Sequence, residues 1–120
     1  NAPTRTGLSD HNDGASLLHV ACKAGNRVYA ALLLARGAVL EAEDDSGRSP
    51  LFYATRAGRT SVVEWLIDEH GMNVNTRDSD GRTPLFYACE EGMTCIAKLL
   101  IAKGAEPGIA DELAAMLREI

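Results

Sequence analysis

One phrase recurs three times along this chain, as Gly14-Ala15-Ser16-Leu17-Leu18-His19-Val20-Ala21, Gly47-Arg48-Ser49-Pro50-Leu51-Phe52-Tyr53-Ala54 and Gly81-Arg82-Thr83-Pro84-Leu85-Phe86-Tyr87-Ala88. The leading glycines lie 33 and 34 residues apart. A second glycine follows each phrase (Gly25, Gly58, Gly92), and a third closes each unit (Gly37, Gly71, Gly104). A unit of this length cannot bury an apolar face alone. Periodicity on this scale therefore restricts the chain to architectures in which like units stack and each stabilises the next.

Each unit reads as two helices and a turn. Ser16, Ser49 and Thr83 sit where a helix N-cap accepts a hydrogen bond from the first free backbone N–H groups. Pro50 and Pro84 follow at the first helical position, with Leu17 in that place in the first unit. Gly25, Gly58 and Gly92 then end a first helix of about nine residues, too short to persist without neighbours. On a 100° wheel its core stripe is Leu18, Ala21, Cys22, then Leu51, Ala54, Thr55, then Leu85, Ala88, Cys89. The opposite side holds Val20, Lys23, Ala24, then Tyr53, Arg56, Ala57, then Tyr87, Glu90, Glu91, which are expected to point away from the core. Second helices are expected over 28–36, 60–69 and 94–103, with apolar stripes wide enough for a packing partner on each side. The runs 40–46 and 74–80 are rich in Asp, Asn and Ser and are followed by Gly47 and Gly81, the composition of a turn in which Asp and Asn side chains bond their own backbone and glycine supplies a positive φ. The second unit carries one extra residue, placed at the end of its second helix within 68–71.

A TPLHxA-like phrase at this period, carried from His11 to Ala105, resembles the ankyrin repeat. The resemblance implies an all-α solenoid of stacked helix-turn-helix units with β-turn or hairpin fingers. The expected organisation is an N-terminal arm at 1–10, repeats at 11–43, 44–77 and 78–110, and a C-terminal capping helix at 111–120. It further implies that His19 ties adjacent finger bases through its ring. Phe52 and Phe86 fill the same slot in the other units, so apolar packing replaces the tie there and those fingers are expected to be held less tightly.

Composition narrows the function. The chain has 120 residues and a net charge of −5, which opposes nucleic-acid binding, since that rests on clustered Lys and Arg. No apolar run approaches the ~20 residues of a membrane-spanning helix. Cys22, Cys89 and Cys95 form neither CxxC pairs nor a disulfide framework and are expected as free thiols packed as small apolar groups. A reducing compartment, cytoplasmic or nuclear, is the expectation. The first residue is Asn rather than Met, which predicts processing or excision from something longer. No nucleophile with a base, no convergent acid pair and no metal spacing is visible: His11 and His70 lie in turns without ligand partners. The glycines are spread along each unit and not gathered before one helix as in a phosphate loop. Neither a cofactor nor catalysis is expected.

What remains is the face made by finger tips and the outward side of the first helices, which the family uses as a concave strip. In this sequence it comprises Asn12, Asp13, Ala15, Val20 and Lys23; Glu43, Asp45, Ser46, Arg48, Tyr53 and Arg56; and Arg77, Ser79, Asp80, Arg82, Tyr87, Glu90 and Glu91. The expected partner-binding residues are Asp45, Arg48, Tyr53, Arg56, Arg77, Asp80, Arg82, Tyr87 and Glu90, because Tyr and Arg cover apolar area and still form hydrogen bonds. The competing reading packs both tyrosines between first helices with their hydroxyls at the surface, and pairs Arg48 and Arg82 with Asp44, Asp45, Asp78 or Asp80. The expected activity is non-catalytic binding of another protein or peptide by a monomer, with an acidic, phosphorylated or basic ligand all open. The alternative is a regulatory or structural segment of a larger protein docking on a catalytic or channel domain of the same chain.

Overall fold

The computed structural model describes residues 14–106. Six helices follow one another: α1 (Leu17–Ala24), α2 (Arg27–Ala35), α3 (Pro50–Arg56), α4 (Thr60–Asp68), α5 (Pro84–Glu90) and α6 (Thr94–Ala102). No strand occurs among the described residues. The expected arm at 1–10 and capping helix at 111–120 lie outside them.

Each unit pairs a first helix (α1, α3, α5) with a second (α2, α4, α6), and α3 packs between α1 and α5. The predicted stripe residues Leu18, Ala21, Cys22, Leu51, Ala54, Thr55, Leu85, Ala88 and Cys89 are all buried. From the second helices come Val62, Val63 and Leu66 on α4 and Ile96, Ala97 and Leu100 on α6. Full burial of such side chains stabilises by roughly 1.5–3 kcal/mol each, before chain entropy is subtracted. Helix α2 differs, with only Ala30 buried and Val28 and Leu32 exposed, because it edges the described stack.

The turn between helices is the same in all three units. Gly58, at φ +77°, bends the chain so that Arg59 N–H reaches back to Ala54 C=O at 2.9 Å. The equivalent bonds are Asn26 to Ala21 at 3.0 Å and Met93 to Ala88 at 2.8 Å. These six-to-one closures satisfy carbonyls that a helix end would otherwise leave open.

Two of the three predicted caps form. Ser16 accepts from His19 N–H and Thr83 from Phe86 N–H. Ser49 has the extended backbone of a cap, yet its buried hydroxyl has no partner, and Phe52 N–H donates to the Ser49 carbonyl instead. The extra residue of the second unit falls where expected. After α2 and α6 the returning bonds, Ala38 to Leu33 and Ala105 to Leu100, span five residues, whereas Met72 to Leu66 after α4 spans six. The longer turn sets His70 edge-on against Trp65, centroids 4.7 Å apart.

Fingers stack through backbone as well as side chains. Ser79 N–H donates to Ser46 C=O at 2.9 Å, and Gly47 allows that approach: a Cβ there would stand 2.9 Å from Ser79 N. His19 makes the predicted tie. Its Nδ1 accepts from Ser16 N–H at 3.0 Å, which leaves Nε2 carrying the proton and donating to Arg48 C=O at 2.8 Å.

Candidate functional site

The fingers are organised by two aspartates, which bond their own turns as the Asp-rich runs lead one to expect and, beyond that expectation, reach a tyrosine on the following helix. Asp44 Oδ1 accepts from the N–H groups of Ser46 and Arg48, both at 2.9 Å, and its Oδ2 accepts from the Tyr53 hydroxyl. Asp78 repeats the pattern one unit later. Its Oδ1 accepts from Asp80 and Arg82 N–H at 2.9 Å, and its Oδ2 from the Tyr87 hydroxyl and, at 3.2 Å, from Arg48 Nε. Each aspartate thus closes its own turn and ties it to the tyrosine nine residues on. Both aspartates are buried. Burial opposes ionisation of Asp78, but the hydrogen bonds from Tyr87, Arg82 N–H, Arg48 and Asp80 N–H outweigh it and hold the carboxyl below the usual carboxylate range.

Tyr87 is accordingly not a surface residue. The wheel put it on the outward side, yet it is 2% exposed, with Phe52 and Phe86 edge-on to its ring. The guanidinium groups of Arg48 and Arg56 cover that ring at 5.3 and 4.8 Å from its centroid. Arg48 Nη2 also donates to the Tyr87 oxygen at 3.1 Å. The prediction of Tyr87 as a contact residue is therefore corrected: its ring and hydroxyl are both consumed inside the stack. The competing reading holds in part: the Tyr87 ring packs between first helices, but its hydroxyl is buried on Asp78 and not left at the surface. Of its charge pairings, Arg48 with Asp78 is present, while Arg82 lies over the Phe86 ring at 4.9 Å.

Tyr53 makes the same bond to its finger but remains half-buried, at the floor of a groove. This groove, about 360 Å³, is lined by Lys23, Arg48, Tyr53, Arg56, Ala57 and Glu91, from the C-terminal ends of the first helices and the second finger. The structure thus gathers three predicted residues, Arg48, Tyr53 and Arg56, and adds two from the wider strip, Lys23 and Glu91. Glu91 Oε2 sits 3.6 Å from Arg56 Nη2, between two exposed side chains, an arrangement worth ~0–1 kcal/mol. The remaining predicted residues, Asp45, Arg77, Asp80, Arg82 and Glu90, are exposed but do not line the groove. Asp45 packs toward Gly14, where a Cβ would meet its Oδ1 at 2.5 Å.

The aspartate–tyrosine tie, the part not anticipated, had a legible signal. Asp44 and Asp78 each stand nine residues before a tyrosine and three before a glycine, the spacing of a side chain that folds its own turn onto the following helix. Cys22 and Cys89 are buried as expected, and burial pushes the Cys22 thiol up to about 12. Cys95 is exposed on α6, against the expectation of three packed thiols. Among the described residues no group of three or more His, Cys, Asp or Glu side chains is placed to hold a metal ion. No helix among them is long and apolar enough to cross a membrane.

Comparison with known proteins agrees with the geometry. The family model for ankyrin repeats (three copies) matches residues 18–111. The mouse B-cell lymphoma 3 protein homolog is 37% identical over 98 residues, covering 81% of this chain and 22% of that protein. Human ARF GTPase-activating protein GIT1 is 42% identical over 55 residues, 46% of this chain and 7% of GIT1. The Arabidopsis ADP-ribosylation factor GTPase-activating protein AGD2 is 39% identical over 54 residues, again 7% of its length. The chain spans less than a quarter of each of these relatives. Arrays of this kind are in general non-catalytic modules for protein–protein interaction. The period, the capped helix pairs, the stacked fingers and the matched span together place this chain in the ankyrin-repeat family.

Proposed function

We propose that this chain is a non-catalytic protein-binding module that receives a segment of a partner protein on its concave face, over the second finger and the ends of the first helices. The observation that carries the reading is the open groove over Tyr53, the place on that face where aromatic and cationic side chains converge. The buried stripe is spent on stacking and the tyrosine hydroxyls on the fingers, so the groove offers contacts the fold does not need. Two free buried thiols accord with action in a reducing compartment, cytoplasmic or nuclear. The protein is read as a monomer that engages neither nucleic acid nor membrane.

A photo-crosslinking residue placed at Arg56, in the groove, or at Ser61, on α4, tests this in cells. Covalent protein adducts formed from position 56 and not from 61 are the expected result. Adducts from position 61 alone would move the binding surface to the second helices and overturn the assignment. A second reading is favoured by the small share of each relative that the chain covers: the same groove is occupied by another part of a larger polypeptide. The GTPase-activating activity in two relatives' names belongs to those proteins, which share with this chain only about 55 residues. Peptide mapping of the adducts in the natural full-length protein separates the two, because an intramolecular occupant crosslinks to its own chain.

A further inference from the structure

We propose that the groove recognises a carboxylate-rich, acidic stretch of the partner protein, with Lys23, Arg48 and Arg56 as the recognising cations; this rests on the concave face being the binding surface. The groove lining carries three positive side chains against one negative, Glu91, in a chain whose net charge is −5. That local inversion of sign attracts acidic ligands to a place the rest of the surface would repel.

The cations are only partly engaged: Arg48 pairs with Asp78 and Arg56 faces Glu91, but each keeps donors open. Lys23 makes no side-chain hydrogen bond or ion pair among the described residues; only its carbonyl is engaged, by Arg59 Nε at 2.9 Å. Arg48 uses Nε and Nη2 on Asp78 and Tyr87, so three of its five N–H donors stay open. Arg56 is held over the Tyr87 ring and touches Glu91 only loosely, at 3.6 Å. Asp44 is bonded within its own finger and on its own tyrosine, and Asp78, besides its own finger and Tyr87, engages Arg48 through Nε alone. Cations in the last turns of α1 and α3 lie where helix ends favour them. The carbonyls there are already bonded by Asn26 and Arg59 N–H, leaving the charged heads for a ligand.

A basic partner fits less well. The acids that would suit one, Asp45 and Asp80, stand at the finger tips outside the groove. Glu91 shows the mode of recognition in miniature, being a carboxylate already resting against Arg56, and a ligand carboxylate takes its place.

The test is selection of a random-peptide phage library on the immobilised chain, with affinities of selected peptides measured against four folded proteins: wild type, Lys23→Glu/Arg56→Glu, Glu91→Gln and Ala57→Trp. Ala57 lines the groove, so Trp there obstructs it without changing charge. Selected peptides should be rich in Asp and Glu and lose at least roughly tenfold in affinity on charge reversal. They should gain about threefold when Glu91 no longer competes. Peptides blocked by Ala57→Trp but not acidic, or indifferent to charge reversal, overturn the acidic ligand and leave the groove standing. Peptides indifferent to Ala57→Trp sink the groove itself. The proposal also falls if only phosphoserine versions bind, or if the library yields no groove-dependent acidic binder.

Discussion

Replacing Tyr87 by phenylalanine deletes a single oxygen from the interior and leaves the ring among Phe52, Phe86, Arg48 and Arg56 unchanged. That oxygen donates to Asp78 Oδ2 and accepts from Arg48 Nη2. Hydrogen bonds to charged partners contribute about 1.5–3 kcal/mol each. The two are not independent, and Asp78 Oδ2 keeps Arg48 Nε after the change, so the expected loss is ~2–3 kcal/mol in total. Tyr53→Phe removes the matching bond to Asp44, but the half-buried site lets water replace the hydroxyl, and about 0.5–1.5 kcal/mol is expected. Urea unfolding followed through Trp65, the chain's one tryptophan, measures both. A thermal scan should show Tm falling on the order of 10–15 °C for Tyr87→Phe. If Tyr87→Phe costs no more than Tyr53→Phe, the assignment of Tyr87 to finger-locking and of Tyr53 to the groove is wrong.

Four further outcomes are expected. Asp78 has a depressed folded-state pKa, so its contribution to stability is complete above the unfolded value of ~3.9 and disappears as pH falls through the folded one; urea midpoints should drop below about pH 4, and Asp78→Asn should flatten that acid limb. Gly47→Ala puts a left-handed φ of +75° and a Cβ 2.9 Å from Ser79 N on the same residue, whereas Gly81→Ala meets nothing within 4 Å; denaturation should show losses of roughly 2–3 and 1 kcal/mol respectively. Mass spectrometry after brief alkylation at mild alkaline pH should find Cys95 modified and Cys22 spared, because burial keeps the Cys22 thiol protonated. Ala15→Arg should supply the first unit with the side chain that Arg48 supplies to the second, raising Tm while narrowing the groove, so that peptide binding there weakens.

Helix positions were legible because their signals are local. A hydroxyl residue and a glycine nine residues on mark each first helix whatever surrounds it, with a proline after the hydroxyl in the second and third units, and boundaries agree within a residue or two. The silent cap at Ser49 is the exception, and its phrase differs from that of the working cap at Thr83 only in Ser for Thr. The site was less legible because it depends on contacts between units. A helical wheel says which side of α5 Tyr87 occupies, but not that the finger beginning at Asp78 folds over that side. The acid–tyrosine spacing of nine was present twice and could have shown it.

Tyr53 and Tyr87 sit at the same register and bond equivalent aspartates, Asp44 and Asp78, yet one is half-buried and the other sealed. The cause lies in the unit before each. Arg48 reaches forward from the second unit to Asp78 and Tyr87, and Arg56 lies across the same ring. In the first unit these two slots hold Ala15, with no arm to extend, and Lys23, with no planar group to lay over an aromatic face. The groove is therefore a consequence of what the first unit lacks. His19 stands edge-on to Tyr53 as Phe52 does to Tyr87, so it is the two missing arginine arms that leave the Tyr53 position available to a ligand. In a stacked array, then, a binding residue is recognised by comparing each unit with the one that precedes it, since burial at any register is decided by its neighbour's side chains.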